Sequence, residues 1–146
     1  LATEMTLTSS LFNQTSNKFS DNIEIIEQIG FGLVNLIEKG DINTKKTKQL
    51  LKSYLDPMLD SNIDQLVLGC THYHFLVPII RQIIPKEITI QDPNKVIAKQ
   101  IKKILNRENL ENPLKNSYKN KVYVNGNTEI IKNIINSNGE VNFLDF

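Results

Sequence analysis

The chain has 146 residues, which is enough for one domain of ordinary size with a sizeable buried core. Hydrophobic residues make up 40% and charged residues 23%, a composition that argues against wholesale disorder, collagen-like repeats and membrane-spanning proteins. Seventeen basic and sixteen acidic side chains give a net charge of +1, which leaves no overall field to hold nucleic acid or an anionic membrane.

The cysteine content indicates the cellular compartment, and the first residues suggest a fragment. Cys70 is the single cysteine, which excludes an internal disulfide framework and fits a reducing compartment. There is no apolar run of about 18 residues and no leader of the secretory kind, so we expect a cytoplasmic protein. Because the sequence begins with Leu1 rather than Met, and 1–3 resembles the end of a strand, we expect a fragment of a longer protein.

The first third of the chain predicts short helices. After the strand end at 1–3, a short helix is predicted near 7–13, with Thr6 as its capping residue. Apolar residues recur at three- and four-residue spacings over 23–38, which predicts two short helices separated by a break around Gly30.

The middle of the chain predicts a helix followed by a strand, a turn and another helix. A helix over 44–55 should end at Pro57. Its inward face should carry Leu50, Leu51, Tyr54 and Leu55. Residues 65–68 then form an apolar strand, 69–73 a tight turn, and 75–84 an apolar helix.

The same alternation repeats beyond residue 85. A β-branched strand at 88–90 precedes Asp92, which can cap a helix over 95–106. This helix should bury Val96, Ile97, Ile101, Ile104 and Leu105. The polar stretch 106–120 is predicted to be a solvated loop.

The end of the chain predicts one more strand, helix and strand. These elements are a strand at 121–124, a helix capped by Thr128 that reaches about residue 138, and a strand near 141–144. Strands that alternate with helices favour an α/β fold with a parallel sheet.

One turn carries the residues most suited to chemistry. Gly69, Cys70, Thr71 and His72 follow a strand, and ligands of open parallel sheets bind beyond the carboxyl ends of the strands. The unpaired N–H groups that begin the next helix suit a carboxylate or a phosphate. A thiol beside an imidazole also forms a pair that can transfer protons.

Three other interpretations of this turn are open. Cys70 can be an inert, buried small hydrophobe. Cys70, His72 and His74 spell a metal-ligand pattern, but structural zinc needs four ligands and no second cluster of Cys or His exists. A cysteine nucleophile with His72 as its base is a stronger alternative, because acyl transfer uses the same two side chains.

The turn resembles the second-cysteine motif of the glutamate racemases. The six matching residues are Leu68-Gly69-Cys70-Thr71-His72-Tyr73. The segments 2–6 (ATEMT), 33–40 (LVNLIEKG) and 92–93 (DP) are similar to further family motifs. The sequence departs from the family pattern at Met5, Gly30, Phe31, Asn35 and His74.

This resemblance implies roles for individual side chains. Cys70 would be one of two cysteines that face opposite sides of the substrate α-carbon, and it would remove the proton of L-glutamate. Thr71 and His72 would bind the substrate, and His72 would also assist proton transfer.

Further positions have implied roles that ordinary structural roles explain about as well. Thr3 and Thr6 match threonines of the substrate pocket, although helix capping also accounts for them. Glu38 matches a glutamate at the rim of the active site, although it could equally be an exposed carboxylate at a helix end.

The resemblance also implies an architecture and a cellular role. It implies a partial three-layer racemase fold, in which 1–92 is the later part of the second α/β domain and 93–146 returns to complete the first. The family needs no cofactor, supplies D-glutamate for peptidoglycan, and often forms homodimers. The motif of the family's other cysteine is absent from this sequence, so the chain alone should be inactive.

Three competing functions are considered. Another racemase of the same superfamily is one, although Thr-Glu commonly follows the cysteine there and His72 favours glutamate. A catalytically inactive remnant is the second. Nucleic-acid binding by the lysines between Lys95 and Lys121 is the third, and solvated helix and loop faces explain those charges more simply.

Overall fold

The computed structural model describes residues 1–112, 121–135 and 139–146. The α-helices and strands of this part follow in the order α1 (Glu4–Leu7), α2 (Ser10–Phe19), α3 (Leu33–Glu38), α4 (Lys45–Asp60), β1 (Gln65–Val67), α5 (Val77–Ile83), β2 (Thr89–Gln91), α6 (Pro93–Arg107), β3 (Lys121–Val124), α7 (Thr128–Ile135) and β4 (Glu140–Phe143). Two 3-10 helices, Ser20–Asn22 and Thr71–Leu76, lie between α2 and α3 and between β1 and α5.

The first sheet is parallel and is widened by single-residue bridges. β1 pairs in parallel with β2, and Ala2 forms parallel bridges to Gly69 on one side and to Ile29 on the other. The strand expected at 1–3 is therefore confirmed at Ala2. All these extended segments run in one direction, so their carboxyl ends meet at one edge of the sheet, where Cys70 follows β1.

The second sheet is a parallel pair formed by the end of the chain. β3 pairs with β4 in parallel over four residues each, and α7 connects the two strands. Both sheets confirm the predicted α/β class with parallel strands.

The hydrophobic core lies on one face of the first sheet. It is made by α3, α4, β1, the 3-10 helix Thr71–Leu76 and α5, which contribute Leu33, Ile37, Leu51, Leu55, Leu66, Leu76 and Ile80. In α4 the buried apolar residues recur with the helical period, so one stripe of that helix faces the sheet. Thr44 caps α4 by accepting a hydrogen bond from the Thr47 N–H at 3.2 Å.

Two predictions near the chain start are wrong. Thr6 does not cap a helix, because α1 begins earlier with Thr3 as its cap and α2 has its own cap, Ser9. The segment before Gly30 is extended rather than helical, since Ile29 pairs with Ala2. Pairing with a distant strand outweighs the helical spacing of its isoleucines.

Pro57 does not end α4, which continues to Asp60. A proline inside a helix removes one backbone hydrogen bond. The last turn is nevertheless held by Leu55 and Met58, which are both buried in the core. Burial of this apolar stripe therefore outweighs the local cost of the proline.

Asp92 caps α6 as expected, but the predicted burial of this helix is wrong. The five apolar residues assigned to its inner face are between 37% and 67% exposed. Nothing in the described part of the chain covers them. Val67 of β1 is also exposed, although parallel sheets are normally covered on both faces.

Asn127, not Thr128, caps α7, because its side-chain oxygen accepts hydrogen bonds from the Glu129 and Ile130 N–H groups at 2.9 and 3.2 Å. Residues 113–120 of the predicted loop and 136–138 of the predicted helix end lie outside the described residues. Among the described helices, none is long and apolar enough to cross a membrane.

Candidate functional site

The cysteine turn begins where β1 leaves the sheet. The Leu68 N–H donates to Gln91 O at 3.1 Å, and the Gly69 N–H donates to Leu1 O at 2.9 Å. A Cβ atom at Gly69 would lie 2.7 Å from the Cβ of Ala2, so a side chain cannot fit between the two segments. Glycine at this position therefore allows the backbone to approach Ala2 closely, just before Cys70.

Tyr73 anchors the turn in the core. It is fully buried, and its hydroxyl donates to Gly30 O at 3.1 Å. A Cβ at Gly30 would lie only 2.5 Å from this hydroxyl oxygen, so Gly30 leaves the space that Tyr73 fills. Burial first, and then the nearby Cys70 and Tyr54, raise the pKa of Tyr73. Tyr73 therefore stays neutral and serves to hold the turn.

Cys70, His72 and Glu38 form a row of three functional groups. The Cys70 Sγ lies 3.8 Å from His72 Nδ1, and His72 Nε2 lies 3.2 Å from Glu38 Oε1. Cys70 comes directly after Gly69, His72 lies in the 3-10 helix Thr71–Leu76, and Glu38 ends α3.

The contact between His72 and Glu38 favours one tautomer of the His72 imidazole. An ionised carboxylate only accepts hydrogen bonds, so Glu38 selects the imidazole form with its proton on Nε2. Nδ1 is then left as an acceptor facing the thiol. The His72 side chain is 37% exposed and that of Glu38 58%, so their contact orients the ring more than it stabilises the fold.

The three threonines near this row have different surroundings. The Thr6 hydroxyl donates to Gly69 O at 3.2 Å and lies 2.9 Å from the Thr3 hydroxyl. Thr3 and Thr6 thus fasten α1 to the residue before Cys70. Thr71 is exposed and begins the 3-10 helix, where solvent or a ligand can reach its hydroxyl.

Comparison with characterised proteins gives a consistent result. The chain is 38% identical over 110 residues to the glutamate racemase of Pseudomonas syringae pv. tomato, a match that covers 75% of the chain and 40% of the relative. It is 43% identical over 105 residues to the glutamate racemase of Ralstonia pickettii, a match that covers 72% of the chain and 37% of the relative. The chain belongs to the glutamate racemase family. It spans about two fifths of the length of these curated relatives.

Solved structures of glutamate racemases share the fold. Isoform RacE1 of Bacillus anthracis superposes with a TM-score of 0.80 at 21% identity, covering 99% of this chain and 56% of that one. Escherichia coli glutamate racemase, in complex with L-glutamate and the activator UDP-MurNAc-Ala, gives a TM-score of 0.77 at 22% identity, with 98% and 56% covered. A comparison with models of known protein families found no match.

A second histidine pairs with a carboxylate that sequence reasoning treated only as a helix cap. His74 Nδ1 lies 2.8 Å from Asp92 Oδ2. The two residues are 18 positions apart in the sequence, so no local spacing predicts the contact. The available signal was topological, because the carboxyl ends of neighbouring parallel strands meet at one edge of the sheet.

The two histidines that follow Cys70 therefore face different carboxylates. His72 contacts Glu38, and His74 contacts Asp92. Within residues 1–112, 121–135 and 139–146, no group of three or more His, Cys, Asp and Glu side chains could hold a metal ion.

A large cleft of about 730 Å³ opens beside the turn on the uncovered face of the first sheet. It is lined by apolar side chains such as Phe12, Phe19 and Val67, and it reaches Thr6 and Gly69. Cys70 and His72 do not line it. Because the acid–base groups lie outside this cleft, we regard most of it as an uncovered packing face, and only its end at Thr6 and Gly69 adjoins the cysteine turn.

Proposed function

We propose that this chain carries one half of the active site of a glutamate racemase, with Cys70 as one of two thiols that exchange the α-proton of glutamate. The observation that carries the proposal is the row from Cys70 through His72 to Glu38, at 3.8 and 3.2 Å. It lies at the carboxyl edge of a parallel sheet, where such folds bind ligands.

In the proposed reaction, His72 Nδ1 takes the proton of the Cys70 thiol and leaves a thiolate. The thiolate then removes the α-proton of L-glutamate, so that an S–H bond forms, the Cα–H bond breaks and the electron pair stays on the α-carbon. A second thiol gives its own proton to the opposite face and yields D-glutamate. Cys70 ends as a thiol and the second sulfur as a thiolate, so the reverse reaction uses the same groups in exchanged roles.

The α-proton of an amino acid is far less acidic than a thiol, so the site must stabilise charge on the α-carbon. Preorganised hydrogen-bond donors and accurate placement of both sulfurs serve that purpose. On this chain, Thr71 offers an exposed hydroxyl beside Cys70, and Thr3 and Thr6 lie behind Gly69. We assign substrate binding to Thr71 and His72. We also propose that Thr3 and Thr6 line the part of the substrate pocket next to Gly69.

The second thiol must come from outside this sequence, which has a single cysteine. We propose that 1–92 forms the later part of one α/β domain and that 93–146 returns to complete another. The exposed apolar face of α6 and the open face of the first sheet support this assignment, because each lacks a packing partner in the described residues. The complete enzyme would work in the cytoplasm without a cofactor, supply D-glutamate for peptidoglycan and form a homodimer.

The proposal is tested with a chimera. The part of the Ralstonia pickettii relative that precedes the matched region is joined to this chain, and racemisation of L-glutamate is followed by circular dichroism. We expect no turnover by the chain alone, turnover by the chimera, and loss of turnover in the chimera with Cys70→Ser. Asp56→Asn serves as the matched control, since Asp56 forms an exposed ion pair with Lys52 on α4.

Three outcomes would contradict the proposal. Turnover by the chain alone, lost on Cys70→Ser, would show that no second cysteine is needed. A chimera that unfolds cooperatively like its parent, yet leaves L-glutamate unchanged, would favour a catalytically inactive remnant. Turnover of aspartate in place of glutamate would assign the chain to another racemase of the superfamily.

A further inference from the structure

The contact between His74 and Asp92 joins two side chains that the proposed reaction does not otherwise use. His74 lies in the 3-10 helix Thr71–Leu76, two residues after His72, and Asp92 follows directly after β2. The 2.8 Å distance between His74 Nδ1 and Asp92 Oδ2 is that of a charge-assisted hydrogen bond.

Asp92 uses its two carboxylate oxygens for different partners. Oδ2 faces His74, whereas Oδ1 accepts the Asn94 N–H at 3.0 Å and so caps α6. The Asp92 side chain is only 10% exposed, compared with 45% for His74. One largely buried carboxylate therefore ties the 3-10 helix to the first turn of α6.

The protonation of this pair follows from the surroundings of Asp92. Burial alone would raise the pKa of Asp92, but hydrogen bonds from His74 and Asn94 and the charges of His74 and Lys95 outweigh it and lower the pKa below its usual value. Asp92 is thus an ionised acceptor at neutral pH. The proton between the two side chains consequently resides on His74 Nδ1.

The 3-10 helix has a particular need for such an anchor. Its internal hydrogen bonds span three residues, as from the Tyr73 N–H to Cys70 O at 3.1 Å, and this geometry is weaker than that of an α-helix. Tyr73 fastens the inner side of the segment to Gly30 O. His74 lies on the outer side, where it contacts Asp92 and packs edge-to-face with Phe75, with the ring centroids 5.3 Å apart.

We propose that His74 and Asp92 form a positioning pair that holds the 3-10 helix against the start of α6 and thereby keeps His72 beside the Cys70 sulfur. Tyr73 fixes this segment from inside, and the pair fixes it from outside. The catalytic purpose of the pair rests on the proposed function. The hydrogen bond between His74 and Asp92 can be measured without substrate.

The first test is the position of the proton on the His74 ring. In ¹⁵N-labelled protein at pH 7.5, two-bond correlations distinguish a proton on Nδ1 from one on Nε2. We expect the Nδ1–H form for His74, which is the less common tautomer of free histidine, and a change to Nε2–H in Asp92→Ala. An Nε2–H ring in the unmodified protein would overturn the proposal.

The second test measures whether the pair positions His72. The rate of Cys70 alkylation by iodoacetamide is compared at pH 7 for the unmodified chain, His74→Ala and His74→Gln. We expect His74→Ala to slow alkylation about threefold, because a frayed 3-10 helix holds His72 near the sulfur for less time. His74→Gln, whose amide N–H can still donate to Asp92, should restore most of the rate.

Asp56→Asn again provides the matched control, because it removes an exposed ion pair on α4, and it should alkylate at the unmodified rate. An unchanged rate in His74→Ala, in a protein that gives the same thermal unfolding curve, would overturn the positioning role. Equal slowing by His74→Gln would also contradict it, because the hydrogen bond would then not matter. These measurements need no racemisation, so failure of the chimera assay would be distinguishable from failure of this inference.

Discussion

A methyl group added at Gly30 would collide with the anchor of the cysteine turn. The new Cβ would lie 2.5 Å from the Tyr73 hydroxyl oxygen and 2.7 Å from Leu33 Cδ1. Leu33 can move the end of its side chain, but the fully buried Tyr73 ring is fixed by its hydrogen bond to Gly30 O. The strain of Gly30→Ala should therefore fall mainly on Tyr73.

The size of the effect follows from two opposing contributions. Overpacking of a filled core costs about 1–3 kcal/mol, whereas replacing a glycine by alanine stabilises by about 0.4–1 kcal/mol through the unfolded chain. We expect Gly30→Ala to lower the free energy of unfolding by about 1–2 kcal/mol. Tyr73→Phe loses one buried hydrogen bond and should cost about 1 kcal/mol, since Gly30 O also accepts the Leu33 N–H at 3.3 Å.

The double variant Gly30→Ala/Tyr73→Phe isolates the collision. Without the hydroxyl oxygen, the new methyl group loses its nearest neighbour, so the double variant should be less destabilised than the sum of the single variants by about 1 kcal/mol. Urea unfolding followed by circular dichroism gives all four free energies. Gly126→Ala is the control, because a Cβ there meets nothing within 4 Å. Additivity of the two changes within about 0.5 kcal/mol would refute this account of the turn.

Three further predictions concern the sheet, the Asp92 cap and α6. Gly69→Ala would place a Cβ 2.7 Å from that of Ala2, so it should lower the free energy of unfolding by about 1–3 kcal/mol in the same urea assay. Because the pKa of Asp92 is lowered on folding, its ionised form stabilises the fold above its unfolded pKa, and this contribution is lost as the pH falls through the folded value. Asp92→Asn should therefore destabilise at pH 7, and the difference from the unmodified chain should shrink as the pH falls below about 4 in thermal unfolding. Ile97→Lys and Ile101→Lys should each change the free energy of unfolding of the isolated chain by less than about 0.5 kcal/mol, because both side chains are more than half exposed, whereas a loss above about 2 kcal/mol would contradict that exposure.

Features set by neighbouring residues could be predicted from the sequence. The apolar run before Gly69 marks β1, and the turn with Cys70 follows it as expected. Asp92 with Pro93 marks the start of α6, because a capping side chain and a preset backbone angle act within one turn. The family motif likewise placed Cys70 and His72 side by side, where the structure gives 3.8 Å.

Features that depend on distant partners could not be predicted in this way. The segment before Gly30 carries a helical spacing, yet pairing of Ile29 with Ala2 makes it extended. The apolar stripe of α6 was expected in the core, but burial needs a facing surface, and the described residues provide none. The contact of His74 with Asp92 arises only when two strand ends meet at the edge of the sheet.

The isotopic course of the reaction tests the two-thiol account most directly. L-glutamate is incubated in D₂O with the chimera described above, and both enantiomers are analysed before a tenth of the substrate has reacted. If Cys70 removes the proton and a second thiol supplies one from the other side, the D-glutamate formed should carry deuterium at the α-carbon while the remaining L-glutamate keeps its proton. Equal early labelling of both enantiomers would indicate a single base that serves both faces and would contradict the account.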